Sequence, residues 1–453
     1  MNKVSILFLL LSAFAASGCI APREAALPPA PDFSAALAQP AAPVPVSTVP
    51  AQGLDEEAVA ALAVRNAPEL KAARARAGVA KAQLFEAGLL PDPQLSADLG
   101  RSSSHTGYSA AISGDVRAFF LRGAARTTAQ AASDEVRLEI LWQEWQTAEK
   151  ARELFIQSRA DTALEKILGE ARDLLLTQYQ LDLAAFQKDS AALEKVSADL
   201  SVLSDAEGDL RNAQLDADRT RHELNLLLGL APEAKPALAG EPSEIDLSSE
   251  DYHSALASLP EHRFDLLALR AGYSSSEQSL RLAALERFPP LRVSLQKGRS
   301  AEEGVDTVGI GVELGLPFFD GGRGRVAVER ATRDGLRQAY QARLDEAASQ
   351  ADEVRQAILL MDGQSRELDS RIAEMSGTAE TAEQRFRDGV LGADVYVSLK
   401  KSLLADREES IRLKAALARA RAALNALLGL PLNKREMPLR AMPASAHSAA
   451  SVR

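Results

Sequence analysis

The sequence predicts a mainly α-helical chain that carries four short membrane-type β-strands and is built as two copies of one unit. Three observations predict it. Residues 308–316 alternate without a break between aliphatic and small or charged side chains. Two stretches of about 65 residues each, 122–186 and 323–387, keep helical periodicity from end to end. LNLLLGL at residues 224–230 returns as LNALLGL at residues 424–430, an offset of 200 positions.

In the alternating run, Val308, Ile310, Val312, Leu314 and Leu316 fall on one face, and Gly309, Gly311, Glu313 and Gly315 on the other. A period of two is a strand. A soluble sandwich strand would alternate in the same way. Here, however, the apolar face is uniformly aliphatic and the other face is small and wet, the polarity of a strand with lipid outside and water inside. About ten tilted residues is the length such a strand needs to cross a bilayer. Pro317, Asp320, Gly321 and Gly322 then close it before the helical stretch begins.

From the start of the chain, residues 1–18 read as a signal peptide: a basic start, a short apolar run and small residues before Cys19. Ala16-Ser17-Gly18-Cys19 resembles a lipobox, which makes Cys19 a lipid anchor. Ile20 follows it in place of the aspartate that retains lipoproteins at the inner membrane, so the expected address is the outer one. Cys19 is also the single cysteine, which excludes disulfides and leaves no candidate for a catalytic thiol. Residues 19–52 are a Pro/Ala-rich tether. The chain carries a formal charge of -11 and no strongly basic stretch, which excludes nucleic acid as a partner.

Residues 53–230 form the first repeat. An Ala-rich helix over 54–89 steps near Pro68 and ends at LPDP. Strands follow at 94–100 and 108–118, joined by a polar turn. The helix over 122–186 is roughly 100 Å long, too long to bury its stripe in a compact globule. Its apolar residues recur at coiled-coil intervals, and after a break at 187–192 a second helix returns to Leu228. Residues 231–248 are a linker, residues 249–430 repeat the series with strands at 291–297 and 308–316, and residues 431–453 are an aperiodic tail. Further anchors keep the same order: FFLRGAAR and FFDGGRGR, Phe186 and Phe386, Glu69-Leu70 and Asp265-Leu266.

Four membrane strands cannot close a barrel, and unpaired edges are intolerable in lipid. Several copies must therefore share one barrel, with their helical hairpins packed into a tube. Chemistry of other kinds finds no support. The five histidines are scattered without ligand spacing, so no catalytic residue, metal site or cofactor is expected. GIGVELG is the strand itself and lacks the ending of a phosphate loop. Trp142 and Trp145 share a helical stripe with Leu138 and Leu141 and are expected in the core.

NAPEL at 66–70, LLPDPQL at 89–95, LPFFDGGR at 316–323, GVLGADVYVSL at 389–399 and the two LN-LLGL endings occur here in one order. In that order they resemble the TolC-like outer-membrane efflux factors, with LLPDPQL closer to the heavy-metal branch than to the drug branch. The resemblance implies a homotrimer with a twelve-stranded β-barrel, four strands per chain, continued by an α-helical barrel across the periplasm. It implies passive export of small molecules or metal cations, with a periplasmic adaptor and an inner-membrane pump as partners and outer-membrane lipid around the barrel. The alternative is a periplasmic adaptor lipoprotein, which would show one hairpin flanked by soluble β-rich segments.

The family's tip is closed by charged residues at the helical turn-rounds. Asp394 falls at the tip position, with Val397 where a second aspartate often stands, and a ring of three Asp394 carboxylates would attract cations. As an N-terminal residue of a helix it would also be favoured there by the helix dipole alone. Asp189, Arg385, Arg387 and Asp388 are the other tip candidates. Asp98, Asp115, Arg117, Arg292 and Glu313 are expected to face the barrel lumen; their mixed signs predict a wet, weakly selective channel.

Overall fold

The structure, a computed structural model, describes residues 53–101, 106–242, 248–300, 303 and 305–430. The signal peptide, Cys19, the tether and the 431–453 tail lie outside the described residues.

Helix α1 (Glu56–Asn66) starts where the Asp55 carboxylate accepts the Ala58 N–H at 2.8 Å, and it stops at extended Ala67. Pro68 then opens α2 (Pro68–Ala87), where its missing N–H costs nothing. The single stepped helix expected here is therefore two helices. Strands β1 (Gln94–Arg101) and β2 (Thr106–Asp115) follow, and then α3 (Arg117–Phe186) and α4 (Leu193–Leu228). Three shorter helices, α5 (Ser249–Ala257), α6 (Leu259–His262) and α7 (Phe264–Leu285), lead to β3 (Leu291–Arg299) and β4 (Asp306–Leu314). The chain ends in α8 (Arg323–Arg387) and α9 (Ala393–Leu427). The order of strand pair and helical hairpin thus runs twice. At 70 and 65 residues, α3 and α8 are each about 100 Å long. Among the described residues no helix is long and apolar enough to cross a membrane.

Each hairpin is held at its base by its own core. Val59 and Ala63 of α1 pack with Leu154 and Phe155 of α3 and with Leu224 and Leu228 of α4. Tyr252, Leu259 and Leu266 pack with Ala347 and Ala351 of α8 and with Leu424 and Leu428 of α9. Burial of each large side chain contributes about 1.5–3 kcal/mol. The two cores are joined because α3 packs against both α7 and α9.

The LN-LLGL motif is a helix stop. Asn225 and Asn425 are buried, and their carbonyls accept the N–H groups of Leu230 and Leu430 past left-handed Gly229 and Gly429, both at φ 67°. A Cβ on Gly229 would lie 3.2 Å from the Asn66 carbonyl oxygen, and one on Gly429 would lie 3.2 Å from the His262 carbonyl carbon. Each stop therefore fits against the start of its own repeat. Gly229→Ala is expected to cost about 1–2 kcal/mol through the left-handed backbone alone. An unchanged thermal midpoint of the detergent-solubilised protein would contradict this.

A buried charge cluster ties the second repeat to the first. Arg263, 1% exposed, forms a bidentate pair with Asp265 (3.0 and 2.6 Å) and donates to the Leu427 carbonyl at 3.0 Å. Arg343 of α8 reaches the same carboxylate at 2.7 Å, and both guanidiniums lie over the Trp142 ring of α3, 5.2 and 5.9 Å from its centroid. Trp145 meets Phe264 edge-on at 6.0 Å. Burial alone would raise the Asp265 pKa, but the hydrogen bonds and charges of Arg263 and Arg343 outweigh it and hold the carboxyl below the usual range.

Candidate functional site

The four strands form one antiparallel sheet in the order β1-β2-β3-β4. Register sorts its side chains. Asp98 faces Ser109, Asp115 faces Arg292, Arg292 faces Glu313, and Ser294 faces Gly311, so one face is polar across all four strands. Leu95 faces Ile112, Ile112 faces Leu295, and Leu295 faces Ile310, so the other face is aliphatic until Lys297, Arg299 and Asp306 charge it at the end away from the helices. That aliphatic face is bare in the isolated chain, with Val308 73% and Ile310 77% exposed. An exposed apolar face of this extent marks a surface that meets lipid or another chain. Glycine keeps the polar face thin: a Cβ on Gly311 would sit 2.5 Å from the Ser294 Oγ, and one on Gly309 would sit 3.1 Å from the Gln296 amide.

All four passages between strand and helix meet at one level below the sheet. The Val116 N–H donates to the Leu291 carbonyl at 2.9 Å and the Gly315 N–H to the Pro290 carbonyl at 3.1 Å. Arg117 donates to the carbonyls of Glu286 and Phe288 at 3.3 and 3.2 Å, Arg287 to that of Gly321 at 3.1 Å, and Arg122 to that of Gly88 at 2.6 Å. Phe119, Phe120, Phe288, Phe318 and Phe319 cluster at this level and are bare, Phe319 at 95%. Tyr108 stands alone near the other end of the sheet.

At the far end of the hairpins, Lys195 of α4 joins three elements. Its ammonium lies 2.9 Å from Asp182 of α3 and 2.8 Å from Asp394 of α9. Gln178, one turn before Asp182, donates to both carboxylates, to Asp394 at 3.0 Å. The hydrogen bonds to Asp394 and Asp182 push Lys195 up to about 12. Burial and the neighbouring Asp182 carboxylate push Asp199 up to about 6. Burial would raise Asp182 too, but hydrogen bonds from Lys195, Asp199 and Gln178 hold it low. Nearby, Phe386 and Tyr396 stack across the second turn-round at 4.9 Å.

Residues 255–430 match the family of outer membrane efflux proteins. That match lies in the second half of the chain, and the fold as a whole is that of solved outer-membrane channels. The VceC outer-membrane protein of Vibrio cholerae superposes with a TM-score of 0.66 at 17% identity, over 83% of this chain and 97% of that one. CmeC of Campylobacter jejuni gives 0.69 at 15% identity over 83% and 85%, and the open state of MtrE of Neisseria gonorrhoeae gives 0.69 at 15% over 83% and 89%. At these identities the likeness is one of fold. No curated protein sequence matches the chain.

In this sheet Asp98, Asp115, Arg292 and Glu313 share the polar face. Arg117 does not. The expectation that the second strand runs to Ala118 is corrected: β2 ends at Asp115, whose carboxylate accepts the Arg117 N–H at 2.9 Å and turns the chain into α3. Arg117 is then the first helical residue, and its guanidinium is spent on the two carbonyls before β3. The fourth strand likewise stops at Leu314, short of Leu316. Asp394 is met within its own chain by Lys195, so its charge is partly neutralised before any ring forms. Asp189 adopts φ 55° at the turn-round where the second repeat places Gly389 at φ 71°; both are helix stops, with Ser190 and Val390 donating back to Ala185 and Arg385. Arg387 pairs with Glu383 and Asp388 accepts from Gln384, local contacts within α8 and its cap. Among the described residues no group of three or more His, Cys, Asp or Glu could hold a metal ion.

Gln178, Asp182, Lys195 and Asp199 escaped sequence reasoning. The i,i+4 pairs Gln178/Asp182 and Lys195/Asp199 flank the first turn-round and were a usable signal. Their closure onto Asp394, 216 positions after Gln178, had none.

Proposed function

We propose that three copies of this chain form a passive duct through the outer membrane, the channel component of a tripartite efflux system. The observation that carries it is the sheet: β1 and β4 each keep one unpaired edge, and one face is bare and aliphatic from the helix end up to Lys297, Arg299 and Asp306 at the far end. In lipid both edges must be paired, and three such sheets closing edge to edge give twelve strands with every polar face turned inward. The hairpins of the three copies then pack side by side into a tube about 100 Å long. CmeC and MtrE are outer-membrane channels of this fold. Small molecules or metal cations would enter from a periplasmic adaptor and an inner-membrane pump and leave without any bond being broken by the duct. Cys19, lipidated, would anchor each copy beside the barrel. The adaptor alternative has no support in a chain with two hairpins, each preceded by a pair of strands in one sheet.

The tip cluster is the gate in this proposal. Three copies of Lys195, Asp182 and Asp394 would hold each second hairpin against the first at the far end of the tube, and the exposed oxygens of Asp394 would ring the entrance. Electron microscopy of the detergent-solubilised, processed protein tests the assembly. A threefold particle with a tube about 100 Å long below a detergent belt is expected. A monomer that stays soluble without detergent would sink it.

A further inference from the structure

We infer that the level where strands pass into helices binds the phosphate headgroups of anionic phospholipids in the inner leaflet. This rests on the proposed membrane placement of the sheet and adds a partner to it.

The chain as a whole is acidic, at -11, yet this one level is basic. Over the four passages, residues 88–93, 117–126, 286–290 and 315–325, there are six arginines and three carboxylates, one of them Asp92. Two of the carboxylates are taken up locally: Glu286 pairs with Arg325, and Asp320 accepts the Gly324 N–H at 3.3 Å. The arginines are gathered by the backbone, because the contacts of Arg117, Arg122 and Arg287 with carbonyls of neighbouring passages bring all four passages to one height. Phe119, Arg122 and Arg126 stand three and four residues apart, one stripe of α3 that carries a bare aromatic ring and then two exposed guanidiniums.

An aromatic ring at headgroup depth with arginines just beyond it is the arrangement that reaches for lipid phosphate. Guanidinium and phosphodiester match in a two-pronged way, and each of these arginines uses only part of its five donors within the protein. Free inorganic phosphate carries the same oxygens but no acyl chains to lie against Phe318 and Phe319. The bare aromatics therefore select lipid as the source.

The test is reconstitution of the full-length processed protein into vesicles of phosphatidylethanolamine alone and into vesicles with phosphatidylglycerol added, followed by thermal unfolding and native mass spectrometry. The wild type is expected to unfold higher in the mixed vesicles and to carry phosphatidylglycerol into the gas phase, with inorganic phosphate having no effect. Arg126→Gln and Arg122→Gln are each expected to weaken phosphatidylglycerol retention about fivefold. Arg126→Lys, which keeps the charge, is expected to retain most of it. Insertion with equal stability in both vesicles and no retained anionic lipid would overturn the inference while leaving the channel standing. Equal stabilisation by inorganic phosphate would overturn the lipid assignment. Failure to insert into either vesicle would overturn the membrane placement and this inference with it.

Discussion

Asp265→Ala is expected to lower the stability of the protein by about 3–5 kcal/mol, more than any other single change at a polar residue. The side chain does not pay for itself by strong attraction alone. What makes its loss costly is Arg263, which is 1% exposed and would remain in the core with only the Leu427 carbonyl and the Trp142 ring against its charge. Arg343, 28% exposed, can turn to solvent and loses less. Asp265→Asn keeps the acceptor and removes the charge, and should fall between wild type and alanine. The thermal midpoint in detergent reads the difference, and an alanine variant within 1 °C of wild type would refute it. The pH dependence has a definite sign. Asp265 is depressed in the folded state, so its contribution is complete above its unfolded value near 4 and is lost as pH falls through the folded one.

Lys195→Met is expected to release the tip. The substitution keeps the length of the side chain and removes the one cation that Asp182 and Asp394 share, leaving two carboxylates held only by the Gln178 amide, with Asp199 beside them. Lys195 is 40% and Asp394 67% exposed, so screening limits the loss to about 0.5–1 kcal/mol per chain, and three chains act together on one entrance. Summed over the three chains, that is about a tenfold or greater shift toward the open tip. Planar-bilayer recordings should show more frequent and longer openings. Unchanged conductance and gating would remove the cluster from the gate. Wild-type openings should also depend on pH. Asp199 has a raised folded value, so its contribution is complete below its unfolded value near 4 and is lost as pH rises through about 6. Depressed Asp182 has the opposite sign and matters only below about 4. The tip is therefore expected to open more readily at pH 7 than at pH 5.

Much of the architecture was legible because its signals are local. The strand at β4 was visible because side chains alternate with a period of two, and the register of the sheet carried that alternation intact across four strands. The helix stops at Gly229 and Gly429 were visible as a repeated phrase, and the turn-rounds as breaks in apolar spacing. Boundaries were less legible. Val116, Arg117 and Ala118 continue the alternation of β2 in the sequence, but Asp115 receives the Arg117 N–H and ends the strand three residues earlier. A single side-chain hydrogen bond outweighed the pattern.

By itself, the sequence determined the helical and membrane-strand character of the chain, its two-fold plan, the polarity of each strand face and the family it resembles. These depend on propensity and periodicity, which are properties of neighbouring residues. Only the tertiary structure decided that Lys195 answers Asp394, that Arg263 and Arg343 share Asp265 beneath Trp142, and that scattered arginines stand at one height. Such partners are separated by tens to hundreds of positions, and a charge carries no mark in sequence of which opposite charge folding will bring to it. The chain closes those pairs only when two long hairpins pack along their whole length, so their chemistry belongs to the packing.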